Sequence, residues 1–265
     1  MRSRLFSAVC ALAVGLSASA SAAPLGQLAL YWDKAGWLNQ ATAQQHGETI
    51  LKNVKVTKGQ NYSQKTLADW VKANTSDGEM DILLTFGDFP ETLYTPGNVQ
   101  QNDSLIEKFI DGGNMVWNTA DYIFYVVNGA GTNGDMGLKT ITNSSFDLWT
   151  DNNLVQPTAD GKKYIPSLKQ FLSHRSWKKA QVDADSNWDF AGIFGEGPLG
   201  VDPGIIVHAK TGGYVGFFQQ YPDDSYNRSD VFTEIMNHWV PTVATAAVDP
   251  QGKAASSWGR IKALR

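Results

Sequence analysis

The sequence predicts an α/β fold on a mostly parallel sheet, and three observations carry that reading. Apolar runs of strand character alternate with helical stretches in the order β-α-β-α-β-α-β between residues 25 and 118, the pattern of a parallel sheet with crossover helices. The run DILLTF at 81–86 is apolar almost throughout and bounded by turn signals, as in a strand covered on both faces. Later, two β-rich runs flank KTGG at 210–213, a hairpin signal.

The elements follow in order. LGQLALYW at 25–32 reads as a buried strand, and 38–53 has helical character with weak apolar spacing. A short second strand is expected over 54–57. The stretch 64–74 is a helix with Leu67, Trp70 and Val71 on one face. After the strand at 81–86, Leu105, Ile106, Phe109 and Ile110 give a helix over 104–111 that Gly112 and Gly113 stop. A strand over 115–118 follows. Between 128 and 187 the pattern breaks into polar stretches such as NGAGTNGDMG, read as an irregular excursion over one edge of the sheet. Strands resume at 188–194, 204–209 and 214–219. Val231, Phe232, Ile235, Met236 and Trp239 then form the apolar stripe of a closing helix over 228–240. One α/β domain is therefore expected over 24–241, with a flexible tail over 242–265.

The first residues carry a different signal. Arg2 and Arg4 precede an apolar stretch at 5–16 and a small-residue zone at 18–23. This predicts an export signal over 1–22, cleaved near Ala20–Ala23, and a secreted or periplasmic protein. The apolar run is too short to span a bilayer, so no membrane span is expected. Cleavage removes Cys10, the one cysteine, and with it any thiol nucleophile or Cys metal site. Removing Arg2 and Arg4 leaves 20 basic against 26 acidic residues in the 265-residue chain. The basic excess that nucleic-acid binding requires is missing.

Three segments resemble the class I glutamine amidotransferase-like superfamily, and within it the trehalose-utilisation (ThuA-like) type of domain. They are DILLTFGDFPETL at 81–93, LIEKFIDGGNMVWNTADY at 105–122 and GIIVHAKTGGYVGFFQQ at 204–220. The resemblance implies a flavodoxin-like or glutamine amidotransferase-like three-layer sandwich with a mostly parallel sheet and a late β-hairpin. It also implies a Cys nucleophile at the sharp turn after the central strand. Here that turn reads Asn118-Thr119-Ala120-Asp121, and no G-x-S-x-G offers a serine instead. Thr119 has no evident base, and the four histidines are not placed to activate it. Glutamine hydrolysis is therefore not expected.

In an open parallel sheet, ligands bind outside the carboxyl ends of the strands. Those ends supply the candidate binding residues Trp32, Asp33, Asp88, Phe89, Asn118, Asp121, Glu196 and Asp223. Carboxylates, amides and aromatic rings suit sugar hydroxyls and C–H faces. Each residue also has a plain structural role to weigh, since Asp33, Asp88 and Asp121 could cap a following helix and the rings could lid the core. No metal-ligand spacing, phosphate loop or dinucleotide fingerprint is present, and no cofactor is expected. The leading expectation is an exported, non-catalytic domain that binds a carbohydrate or a surface partner. One alternative is a glycan hydrolase using Asp33 or Asp88 with Asp121 or Glu196. The other is an interaction module docked through the tail, where SSWGRIKALR sets a Trp among basic residues.

Overall fold

The computed structural model describes residues 25–56, 58–95, 103–127, 129–131 and 135–244. The leader read over 1–22, and the tail from 245 onward, lie outside the described residues.

The chain begins with β1 (Leu25–Tyr31), α1 (Gln40–Asn53), β2 (Gly59–Asn61), α2 (Gln64–Asn74), β3 (Met80–Phe86), β4 (Asp88–Phe89), α3 (Leu105–Asp111) and β5 (Met115–Thr119). It continues through β6 (Val126–Val127), β7 (Ala130–Gly131), α4 (Met136–Thr142), β8 (Asn153–Pro157), α5 (Ala159–Tyr164), β9 (Phe171–Ser173) and α6 (Lys179–Ala184). It closes with β10 (Trp188–Ile193), β11 (Gly195–Gly197), β12 (Gly200–Val201), β13 (Gly204–His208), β14 (Tyr214–Phe218), α7 (Arg228–Glu234), a π turn (Ile235–Trp239) and α8 (Val240–Ala244).

The main sheet has seven strands in the order β10-β13-β14-β5-β3-β1-β2. Neighbours pair in parallel from β14 to β2, and β13 runs against both of its neighbours. The fold is thus α/β with a mostly parallel sheet and a late hairpin. Alternate residues of each central strand feed two cores, because side chains alternate across a strand. Ile82, Leu84, Met115 and Trp117 face Ile50 of α1 and the closing helix with Val231, Phe232 and Trp239. Leu83 and Val116 face Leu67, Trp70 and Val71 of α2 and Ile106, Phe109 and Ile110 of α3. Helices therefore cover both faces, which explains why β3 is buried at every position.

Local signals set the boundaries. Asn39 caps α1 through its side chain to the Ala41 and Thr42 amides. Ser104 and Glu107 form a capping box on α3. Three expectations need correction. The second strand is Gly59–Asn61, not 54–57: Val54 caps α1 and donates to the Ile50 carbonyl, while the polar GQN segment pairs with β1 as a short edge. The closing helix does not stop at Pro241 but runs to Ala244 through the π turn. Val240 bonds back to Ile235 there, and the turn ahead of Pro241 absorbs the missing proline amide.

The third correction is the excursion. The stretch after 135 is ordered, and β8 and β9 join β11 and β12 in a second, four-stranded sheet. NLVQP hid this strand because only Asn153 and Val155 are buried while Leu154 and Gln156 face out. The second sheet docks on the carboxyl end of β14. Asp202 accepts from the amides of Gln219 and Gln220 at 2.8 Å each, and the His174 amide donates to the Gln220 carbonyl. Among the described residues, no helix is long and apolar enough to cross a membrane.

Candidate functional site

The turn after β5 keeps a strained shape without a reactive group. Ala120 has φ of 91° and is fully buried, a conformation that costs a non-glycine residue on the order of 1–2 kcal/mol. The space above it is closed by backbone. Gly87, itself at φ 82°, packs on Ala120, Ala35 and Gly36. The polar side chains of the turn itself are engaged. Asn118 Oδ1 accepts from the Thr85 hydroxyl at 2.8 Å and the Gly87 amide at 3.2 Å, and its Nδ2 donates to the Asp121 carbonyl. The Thr119 hydroxyl donates to the Phe218 carbonyl at 2.8 Å and accepts from Arg228 Nε at 3.0 Å. Arg228 is fully buried and also holds the Asp223, Gln219 and Tyr221 carbonyls. Asn118 and Thr119 are therefore braces between strands.

The other sequence-picked residues divide between scaffold and edge. Trp32 lies in a slot against α1 that a side chain at Gly47 would fill, with its ring edge-on to Phe86. Phe89 is core, packed on Phe124 at 4.6 Å. Asp223 accepts from the Ser225 amide and hydroxyl, which lowers its carboxyl pKa. Glu196, on the second sheet, lies 3.8 Å from Lys179. Asp33 is exposed at the end of β1. Asp88 is fully buried. Its Oδ1 accepts from the Gly129 amide at 2.8 Å, its Oδ2 has no hydrogen bond, and burial pushes its carboxyl up to about 6. The Tyr31 hydroxyl is also buried without a hydrogen bond. Burial raises its pKa, and the charges of Asp88 and Asp33 raise it further.

Asp121 is the sequence-picked residue that opens onto an extended surface. It lies 3.1 Å from Arg175 Nε. Burial raises its carboxyl pKa, and the Arg175 charge pulls the other way. Arg175 pairs with Asp151, and its guanidinium lies 4.7 Å from the centre of the Trp149 ring. From there a tract of rings runs along the carboxyl edge. Trp149 meets Tyr122 at 4.8 Å and Tyr125 at 6.1 Å, and Tyr125 meets Trp37 at 5.6 Å. In the other direction His174 meets Tyr221 at 4.3 Å, Tyr221 meets Tyr226, and Tyr226 meets Phe171. Phe171 and Tyr226 line a cleft of about 510 Å³ together with Gln219, Asn227 and Asp230. Trp37 and Trp149 are 45% and 43% exposed, so both keep ring area for a ligand.

Sequence reading missed most of this tract. Trp149, His174 and Arg175 lie in the excursion, and nothing in FDLWTD or SHRSW says they return to the sheet edge. The available signal was two tryptophans, Trp37 and Trp149, in polar loops.

No family model and no curated protein matches the chain. Among solved structures, the chain is similar to a protein described as ThuA-like from Bacteroides uniformis ATCC 8492. That likeness has 13% identity and a TM-score of 0.43, and covers 91% of this chain and 99% of that one.

Proposed function

We propose that the protein binds carbohydrate along the aromatic tract at the carboxyl edge of its sheet, as an exported, non-catalytic member of the amidotransferase-like group. The observation that carries the reading is the half-exposed pair Trp37 and Trp149 on either side of Tyr125. Exposed rings offer flat apolar faces to sugar C–H groups, while Arg175, Asp121 and Asp151 beside Trp149 offer donors and acceptors to hydroxyls. A separate cleft lined by Phe171 and Tyr226 would offer room for a further sugar unit. The buried positive-φ Ala120 fits an ancestral nucleophile turn that no longer reacts.

The test is binding of the full mature chain to insoluble polysaccharides and a soluble glycan panel, beside the Trp37→Ala/Trp149→Ala double variant. At least one glycan should retain wild type and release the variant. Retention of both, or of neither, rejects the tract as a carbohydrate surface.

Asp88 favours a second reading. A buried carboxyl held up to about 6 next to the Tyr31 hydroxyl has the protonation a glycosidic acid needs. Turnover of a bound glycan that Asp88→Asn abolishes would establish it, and binding without turnover would remove it.

A further inference from the structure

We propose that Asp77, Glu79 and Asp81 form a binding site for a hard divalent cation, Ca²⁺ by ligand class, at the amino edge of the central sheet. The three carboxylates fall at alternate positions in DGEMD as the chain enters β3. One oxygen from each lies within 4.8 Å of the others. That spread matches oxygens around a single Ca²⁺, whose ligands lie at about 2.3–2.6 Å. Gly78, at φ 91°, turns the loop between Asp77 and Glu79.

A group of surface carboxylates alone would say little, but Asp81 is not on the surface. It is fully buried at the start of β3, and its Oδ2 has no hydrogen bond. Its Oδ1 accepts from the Gln27 amide at 2.6 Å, and its own amide donates to Asn114 Oδ1. Asn114 is tied in turn to the Asn74 and Thr75 carbonyls. The carboxylate is thus held by β1 through Gln27 and beside Asn114, and one of its oxygens lies within the group formed with Asp77 and Glu79. A buried oxygen without a donor is costly, and a cation would satisfy it. Burial, with the charges of Asp77 and Glu79, pushes the Asp81 carboxyl up to about 7. Asp77 and Glu79 are exposed, so water can complete the coordination sphere. The site is open and short of ligands, which suits a Kd on the order of 0.1–1 mM.

The test is thermal unfolding and titration calorimetry of the full chain, stripped with EDTA, using CaCl₂, MgCl₂ and a NaCl control of equal ionic strength. Ca²⁺ at 10 mM should raise Tm by several degrees. Asp81→Asn should abolish the shift. Because that buried change could disturb folding, the exposed Asp77→Asn/Glu79→Gln variant provides a second arm, and it should weaken Ca²⁺ at least tenfold with an unaltered fold. A wild-type Tm that moves no further in CaCl₂ than in NaCl overturns the proposal. So does a Ca²⁺ shift that survives in the Asp77→Asn/Glu79→Gln variant.

Discussion

The turn after β5 and the aromatic tract lie at the same edge of the same sheet, yet they treat their polar groups in opposite ways. At the turn, Asn118 is spent on the Thr85 hydroxyl, the Gly87 amide and the Asp121 carbonyl, and Thr119 joins Arg228 to the Phe218 carbonyl. The backbone of Gly36 and Gly87 closes the space over Ala120. Along the tract, Trp37 and Trp149 keep part of their ring area exposed above the buried Tyr122 and Asp121. The difference teaches that position at a strand's carboxyl end is not enough to mark a site. A residue there serves a ligand only if its bonds are not already committed to the fold.

The comparison can be broken first at the turn. Asn118→Ala would take the side-chain partner from the Gly87 amide and the Asp121 carbonyl and leave the Thr85 hydroxyl only its longer bond to the Trp117 carbonyl. At roughly 1–3 kcal/mol for a buried unpaired group, the expected loss is about 3 kcal/mol in urea unfolding. Thr119→Val, which strands Arg228 Nε, should cost about 2 kcal/mol. Trp149→Ala reverses the pattern. It should weaken glycan binding at least tenfold, about 1.4 kcal/mol, while stability changes by less than about 1 kcal/mol at this half-exposed position. Arg175→Gln, which removes the ion pairs and the stacking on Trp149, should weaken binding several-fold in the same assay.

A pH series sharpens the contrast from the buried side. Burial raises the carboxyls of Asp81 and Asp202 to about 7 and that of Asp88 to about 6. Above the unfolded value of about 4, the folded chain holds protons that the unfolded chain releases. The stability these groups contribute is therefore full below about pH 4 and falls as pH rises towards 7. Stability against chemical unfolding should be higher at pH 5 than at pH 8, and Asp202→Asn should flatten the slope. Asp147 and Asp223, whose carboxyls are lowered, act only below about pH 4. The smallest effect belongs to Glu196→Gln: a half-exposed pair with Lys179 should change stability by less than about 0.5 kcal/mol, and glycan binding not at all.

The fold was legible where one period dominated. DILLTF and MVWNT are central strands covered on both sides, so hydrophobicity alone found them. KTGG marked the hairpin. β2 was misplaced because its three residues are polar and its only anchor is the β1 ladder. The second sheet was invisible because β8 buries alternate residues in a polar sequence and pairs with a strand distant in sequence. At the site, the ends of β1, β3 and β5 were located correctly, but exposure and hydrogen bonding decide between brace and ligand group. Phe89 and Asn118 are indistinguishable from binding residues until their partners are known. Asp121 is set apart from Asn118 only once Arg175 arrives from the excursion to pair with it.

The central claim is that ligand binding lies on the tract and not at the turn. It is tested most directly by isothermal titration of one oligosaccharide, cut from a retained polysaccharide, into wild type, Trp149→Ala and Thr119→Val under conditions where all three are folded. The account predicts at least tenfold weaker binding for Trp149→Ala and less than a threefold change for Thr119→Val. Unchanged affinity in Trp149→Ala, or loss of binding in folded Thr119→Val, would contradict it.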